Sequence, residues 1–219
     1  MSINFTKQSR LFQDFRSIPH TDYQYLISFY DKHHKDISYL PFEEGMTILF
    51  YYSNALYENG YYSKHITTAE KLLEVSIINN LDYIDGHDVY ITLLYQKTAA
   101  HLRLGDTQKA IQLAQQLVGI DSNQLLHTEL LQQCFLVNRP AWIRATLTTS
   151  AVATIMAAVI IVLFASLQWY QIPNAMMMPY SLLATAGIGL VACGWGYYRH
   201  VIAPIRVIIA QAKEKAKNK

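Results

Sequence analysis

Two long apolar stretches without a single charged residue lie in the last third of the 219-residue chain, at residues 147–167 and 179–198. Each is about 20 residues long, the length that an α-helix needs to cross the hydrocarbon layer of a bilayer. The residues between them are also uncharged and include Pro173. The pattern predicts a transmembrane helical hairpin in residues 139–200, with spans at about 147–167 and 179–198. The alternative is a pair of buried helices in a soluble bundle, although such helices commonly carry charge on one face.

The charges around these stretches predict an orientation. Arg139 and Arg144 precede the first stretch, Arg199 and Arg206 follow the second, and the connection has no charge. Under the positive-inside rule both termini face the cytoplasm. Residues 1–16 contain no apolar run typical of a secretory signal. The expected location is therefore integral to a membrane, with a bacterial inner membrane favoured and a eukaryotic organelle surface left open.

The charge distribution divides the chain into two parts. Residues 1–138 carry 10 Lys and Arg against 15 Asp and Glu, a net charge of −5, whereas residues 139–219 have a net charge of +7. This predicts a cytoplasmic domain in residues 1–138, long enough for one core. Its acidity argues against nucleic-acid binding. The two cysteines, Cys134 and Cys193, are far apart and predict no disulfide framework.

Apolar residues in the first 138 positions recur at helical spacing rather than in alternation. Asn59-Gly60 and Gly105-Asp106 are typical helix-ending turns. Thr21 or Asp22 is a candidate N-cap for one helix, and Asp85 or Asp88 for another. Helices are predicted at about residues 21–32, 41–58, 64–78, 89–104, 107–118 and 122–137, with a loop at 79–86.

Two segments of this domain repeat. Residues 54–66 align with residues 99–111, and each contains the end of a helix, a glycine turn and the start of a second helix. The pattern resembles the tetratricopeptide repeat (TPR), in which antiparallel helix pairs stack into a solenoid. The resemblance covers roughly residues 45–122, with the flanking helices as caps. Two departures are a longer spacing between Gly60 and Gly105 than the usual 34 residues, and His65 in place of a small residue. A generic helical bundle is the alternative.

The predicted fold class is therefore all-α: a TPR-like helical-hairpin solenoid, two transmembrane helices, and a short basic amphipathic tail in residues 201–219. Small residues recur every four positions in both predicted spans and form a candidate packing seam for the hairpin or a homo-oligomer: Ser150, Thr154, Ala158, Ser181, Thr185, Gly189 and Cys193. Basic residues next to the spans and in the tail are candidate contacts to lipid headgroups: Arg139, Arg144, Arg199, Arg206, Lys213, Lys215 and Lys217. The tail is expected to be either an interfacial helix or a disordered topology signal.

The sequence contains no motif that argues for catalysis. Gly187-Ile188-Gly189 matches part of a dinucleotide-binding pattern, but the strand and βαβ unit that this pattern requires are not predicted here. The cluster of Asp31, His33, His34 and Asp36 is expected to be a polar helix end, since neighbouring residues on a helix point in different directions. No catalytic residue, cofactor or metal site is expected.

The chain is therefore expected to be a membrane-anchored interaction scaffold, or an assembly subunit of a membrane complex. Its expected partners are membrane lipids and other membrane or cytoplasmic proteins, bound through the repeat domain. Tyrosine suits such a surface because it offers a large contact area and a polar tip. The candidate partner-binding residues are Tyr51, Tyr52, Tyr57, Tyr61, Tyr62, Tyr90 and Tyr95. The alternative function is an oligomeric channel or transporter accessory subunit formed by the two-span hairpins.

Overall fold

The structure, a computed structural model, describes residues 9–138 and 194–217, with isolated positions between them at 152, 155, 156, 158, 159, 162 and 191. The chain divides into an N-terminal unit, Met1–Asp121, and a C-terminal unit, Ser122–Lys219. Each unit has its own packing and is described by itself.

The N-terminal unit contains six described helices, which are α1 (Arg10–Arg16), α2 (Tyr23–Ile37), α3 (Phe42–Glu58), α4 (Tyr62–Ile78), α5 (Val89–Arg103) and α6 (Thr107–Ile120). The prediction of an all-α fold is confirmed for the described residues, apart from two strands of two residues each. The side chain of Asp22 accepts a hydrogen bond from the backbone N–H of Tyr25, and that of Asp88 accepts from Ile91. Of the predicted alternatives, Asp22 and not Thr21 caps α2, and Asp88 and not Asp85 caps α5.

Consecutive helices from α2 to α6 pack against each other, and α3 also packs against α5. The hairpins α3–α4 and α5–α6 therefore stack side by side, which is a helical-repeat-like arrangement. Gly60 and Gly105 end α3 and α5 with φ of 79° and 82°. Because a side chain is strained in this left-handed conformation, glycine is favoured at both turns.

Apolar side chains at helical spacing form the core of this unit. The largest fully buried ones come from α1 to α6 and are Phe15, Leu26, Ile48, Leu56, Leu72, Leu93 and Leu117. Ala69, Ala110 and Ala114 are also fully buried, so the helices approach closely where these small side chains lie. Burial of these side chains is the main stabilising contribution to the stacked hairpins.

The predicted loop between α4 and α5 contains a small antiparallel ribbon. Strand β1 (Tyr83–Ile84) pairs with β2 (His87–Asp88). The two residues between the strands, Asp85 and Gly86, have φ of 48° and 81°. Two consecutive positive φ angles are typical of a tight hairpin turn, and Asp-Gly is a favoured pair there. The ribbon occupies the extra residues that separate the two repeats.

The C-terminal unit contains α7 (Leu125–Val137), a π-helical turn (Tyr198–Ile202) and α8 (Ala203–Lys217). Helix α7 packs against both of the later elements. Leu130, Leu131, Cys134, Val201 and Ala212 are buried in this unit. Burial raises the pKa of the Cys134 thiol to about 11, so the thiol stays protonated at neutral pH. The tail is thus helical over its described residues.

Among the described residues, we find no helix with both the length and the apolar character required to cross a bilayer. This finding contradicts the predicted two-span hairpin and the predicted integral-membrane location with both termini in the cytoplasm. Most of residues 147–167 and 179–198 lies outside the described residues. The described end of the second predicted span leads into the π-helical turn and α8. These two elements carry the exposed residues Arg199 and Arg206, and they pack against α7. A run of uncharged residues does not by itself specify a membrane-spanning helix, and the described side chains Val152, Ile155 and Val162 of the first stretch are 60%, 64% and 69% exposed.

The structure describes some of the candidate seam and headgroup residues and not others. Ala158 is helical and exposed. The basic side chains at Arg199, Arg206, Lys213, Lys215 and Lys217 are exposed. The remaining candidates lie outside the described residues: Arg139, Arg144, Ser150, Thr154, Ser181, Thr185, Gly189 and Cys193.

Candidate functional site

A groove crosses the N-terminal unit where the end of α2, the start of α3 and the end of α4 meet. Its walls are two stripes at helical spacing, one from α2 and one from α3. The α2 stripe consists of Tyr30, His34 and Ile37, and the α3 stripe consists of Phe42, Gly45, Met46 and Leu49. Ser38 and Leu40 contribute from the turn between these helices, and Val75 contributes from α4. We call these ten residues the α2–α3 groove.

The groove has a volume of about 300 Å³. This is near the lower limit for small-molecule pockets and leaves room for a large apolar side chain. Ile37 and Met46 are buried, whereas Phe42 is 43% exposed. Polar groups are few: the hydroxyl of Ser38 donates to the carbonyl of Lys35, and Nδ1 of His34 lies 3.1 Å from the carbonyl of Asp31. The site is an apolar slot with a partly polar edge.

Gly45 lies in the wall of the groove and inside α3. It has a negative φ, and a methyl group at its Cβ position would have one neighbour within 4 Å, the carbonyl oxygen of Ile37 at 3.6 Å. That distance is an ordinary van der Waals contact. Neither the backbone conformation nor close packing therefore requires glycine here. Glycine in a helix also lowers stability by about 1 kcal/mol relative to alanine. The missing side chain does, however, leave the groove open.

Exposed apolar side chains lie near the groove. Tyr39, in the α2–α3 turn, is 89% exposed, and Ile78 is 71% exposed. Ile78 lies one helical turn after Val75 on the same face of α4. Scattered apolar side chains are normal on a protein surface, but several of them beside an apolar groove are typical of an interaction site.

Tyr30 is held in the groove wall by a second tyrosine beneath it. Its ring stacks on Tyr52 with a centroid distance of 3.9 Å. The hydroxyl of Tyr52 donates to a carboxylate oxygen of Asp31 at 3.3 Å. Burial and the nearby Asp31 raise the pKa of Tyr52 to about 12, so its hydroxyl remains a donor at neutral pH. Tyr52 thus acts as a support for the groove.

The seven tyrosines predicted to bind a partner differ in burial. Tyr51 and Tyr52 are buried in the unit, and Tyr61 and Tyr90 are exposed. Tyr57 and Tyr95 are half-buried, as is Tyr62, whose ring lies 5.9 Å from that of Tyr57. A role in binding stays a prediction for all seven, and the buried pair also contributes to packing.

Tyr51 belongs to a polar cluster that joins three parts of the unit. Its hydroxyl donates to Oδ2 of Asp85 at 2.9 Å, and Arg16 donates to Oδ1 at 2.8 Å. His20 stacks on the Tyr51 ring at 4.4 Å. Burial and the hydrogen bond to Asp85 raise the pKa of Tyr51 to about 12. The cluster fastens the β-ribbon turn to α1 and α3, and we assign it a structural role.

The helix-end cluster predicted from sequence has modest contacts. Nδ1 of His33 lies 3.7 Å from Asp36, and Asp31 accepts from Tyr52. Across the described ranges, the His, Cys, Asp and Glu side chains form no group of three or more that could hold a metal ion.

The sequence did not predict the α2–α3 groove, although it contained partial indications of it. Pro41, which opens α3, implies a short connection and hence a tight α2–α3 hairpin. The stripe positions on each helix were recognisable, but the contact of Val75 with them depends on how α4 packs. Comparison with models of protein families, with curated proteins and with solved structures finds no match to this chain.

Proposed function

We propose that the N-terminal unit is a TPR-like protein-interaction module that binds a helical or extended segment of a partner protein in the α2–α3 groove. Helical-repeat domains offer extended surfaces to such segments, and amphipathic helices commonly insert apolar side chains into grooves. The observation that carries the proposal is the open groove at Gly45, beside exposed Phe42.

The anchor of the partner is a large apolar side chain. The volume, the apolar wall and the stacked Tyr30 suit an aliphatic or aromatic group better than a charged one, because the walls offer few polar partners to a buried charge. Aromatic residues placed in such slots commonly supply much of the binding energy of an interface.

The charge of the unit suggests which residues flank this anchor. Residues 1–121 carry 14 Asp and Glu against 10 Lys and Arg, a surplus of four acidic residues. Electrostatic complementarity then favours a partner segment with Lys or Arg beside its apolar anchor. We therefore propose a basic amphipathic segment as the partner.

The proposal can be tested with a matched pair of glycine substitutions in the full-length chain. The probe is a peptide selected on the unmodified chain from a displayed library of amphipathic helical peptides. Gly45→Leu places a side chain in the groove, whereas Gly119→Leu adds the same side chain to α6, where a Cβ meets nothing within 4 Å. We expect Gly45→Leu to weaken peptide binding by at least about tenfold, which corresponds to about 1.4 kcal/mol. Gly119→Leu should bind as the unmodified chain does.

Circular dichroism and urea unfolding of both variants give the control for folding. The proposal is wrong if the library yields no peptide that binds, or if Gly45→Leu remains folded and binds the selected peptide with unchanged affinity. Equal losses in both variants would place the binding surface elsewhere.

The absence of catalysis remains our expectation for this chain. The alternative function, a channel or transporter accessory subunit, depended on the two-span hairpin. We do not propose it, because the hairpin prediction is contradicted.

A further inference from the structure

His65 is fully buried on α4, at the position that Ala110 occupies in the second repeat. Its Nδ1 lies 2.8 Å from the backbone carbonyl oxygen of Ser53 on α3 and 3.1 Å from the hydroxyl of that residue. Because a carbonyl oxygen can only accept a hydrogen bond, Nδ1 carries the proton of the neutral ring. The second nitrogen, Nε2, is then an unprotonated acceptor.

Nε2 of His65 is buried and has no hydrogen-bond partner among the described residues. The side chains around the ring come from α3 and α5. The Tyr57 ring of α3 lies 5.4 Å from the imidazole, and Lys97 of α5 brings a positive charge to the same region. The ammonium of Lys97 pairs with Glu70 at 2.9 Å, so that carboxylate is already engaged.

Protonation of His65 would be unfavourable in this environment for two reasons. It would create a buried N–H at Nε2 with no acceptor, and it would place a second positive charge near Lys97. Burial lowers the pKa of His65, the Ser53 carbonyl opposes this effect, and Lys97 lowers the pKa further. The neutral ring, in contrast, hydrogen-bonds α4 to α3 and fills the space beside α5.

We propose that His65 makes the junction of α3, α4 and α5 acid-sensitive: the neutral imidazole holds the three helices together, and uptake of one proton at Nε2 releases them. This inference does not depend on the proposed partner binding. The unfolded chain takes up the proton more readily than the folded chain. Stability is therefore complete above the unfolded pKa of about 6.5 and is lost as the pH falls from there towards the lower folded pKa.

The test compares urea unfolding of the full-length chain at pH 7.5, 6.5, 5.5 and 5.0 with that of two variants. His65→Asn keeps an amide donor near the position of Nδ1 but cannot titrate. His87→Asn is the control, because His87 in β2 is exposed and is not part of the junction of α3, α4 and α5. One proton of linkage lowers the folding equilibrium constant by up to about tenfold per pH unit. We expect His65→Asn to lose one proton of this dependence below pH 6.5 and His87→Asn to retain it.

A second measurement decides the question even if His65→Asn does not fold. Nitrogen-15 NMR of the unmodified chain reports the protonation state of each imidazole nitrogen. The proposal predicts that Nε2 of His65 stays unprotonated in the folded state throughout the acid transition. It is overturned if folded His65 titrates at or above pH 6.5, or if a folded His65→Asn retains the full acid dependence of the unmodified chain.

Discussion

At the scale of single residues, two glycines of the N-terminal unit have different structural roles. Gly105 is needed for its left-handed φ of 82°, whereas Gly45 lies in an ordinary helix with room for a methyl group. We expect Gly45→Ala to stabilise the folded chain by about 1 kcal/mol, because alanine has the better helix propensity. Gly105→Ala should destabilise it by about 1 kcal/mol, because the alanine Cβ is strained at positive φ. Urea unfolding measures both changes, and a destabilising Gly45→Ala would show that the fold itself requires this glycine.

The carboxylate of Asp85 offers a second prediction at this scale. Burial raises its pKa, but hydrogen bonds from Arg16 and Tyr51 outweigh burial, so the pKa of Asp85 lies below its ordinary value of 3.8. Asp85→Asn should keep the positive φ, since asparagine also tolerates it, but should cost about 1 kcal/mol. The cost is modest because the Asp85 and Arg16 side chains are 30% and 37% exposed.

The same substitution has an expected pH signature. The contribution of Asp85 is present above pH 3.8, the pKa of its unfolded form, and is lost as the pH falls through the lower folded pKa. Stability curves of the unmodified and Asp85→Asn chains should therefore converge in acid. A constant difference between the two curves at pH 7 and pH 2 would contradict the assignment. Spectrophotometric titration should also show the pKa of Tyr51 falling from about 12 when Asp85 is neutralised.

At the scale of elements, the cap of α5 controls where the second repeat begins. The side chain of Asp88 accepts from the backbone N–H of Ile91 at 2.8 Å. Asp88→Ala should lower the free energy of unfolding by about 1 kcal/mol, because the first turn loses its hydrogen-bond acceptor. Asp82→Ala, at an exposed position in the same connection, is the control and should have little effect. Hydrogen exchange at the first turn of α5 should be faster in the first variant only.

The helices were largely predictable from sequence because their signals are local. Helix α3 ends as predicted, at the turn that contains Gly60, and the predicted caps Asp22 and Asp88 act within three residues of themselves. The sequence did not predict helix α1, which is short, or the β-ribbon, because residues 79–86 were predicted to form a loop. The groove depends on α4 packing beside the α2–α3 hairpin, which no local pattern specifies. The membrane prediction was wrong because a run of apolar residues does not by itself specify a membrane-spanning helix.

At the scale of the whole molecule, charge and packing divide the chain at different places. The net charge changes sign near Asn138, whereas the packing divides the chain at Asp121, so α7 belongs to the C-terminal unit. That unit joins α7 to the basic helix α8 through buried apolar residues. The acidic surplus of the first 138 residues therefore lies mainly in the unit that contains the groove, and this bears on the partner it selects.

The charge of the groove-bearing unit leads to a prediction about salt. Two peptides with the same apolar anchors are compared, one with Lys and Arg on its solvent-facing side and one with Glu and Asp. We expect the basic peptide to bind the full-length chain more tightly at low salt and to lose affinity as salt rises from 0.1 M to 1 M, because screening shortens the Debye length from about 10 Å to about 3 Å. The acidic peptide should show the opposite trend.

Because the C-terminal unit is basic, the affinity of each peptide is also measured for Gly45→Leu. The difference in affinity between the unmodified chain and this variant reports binding in the groove, and this difference must follow the predicted trend. Equal affinities of the two peptides at low salt would show that the apolar groove selects its partner without help from the acidic surface.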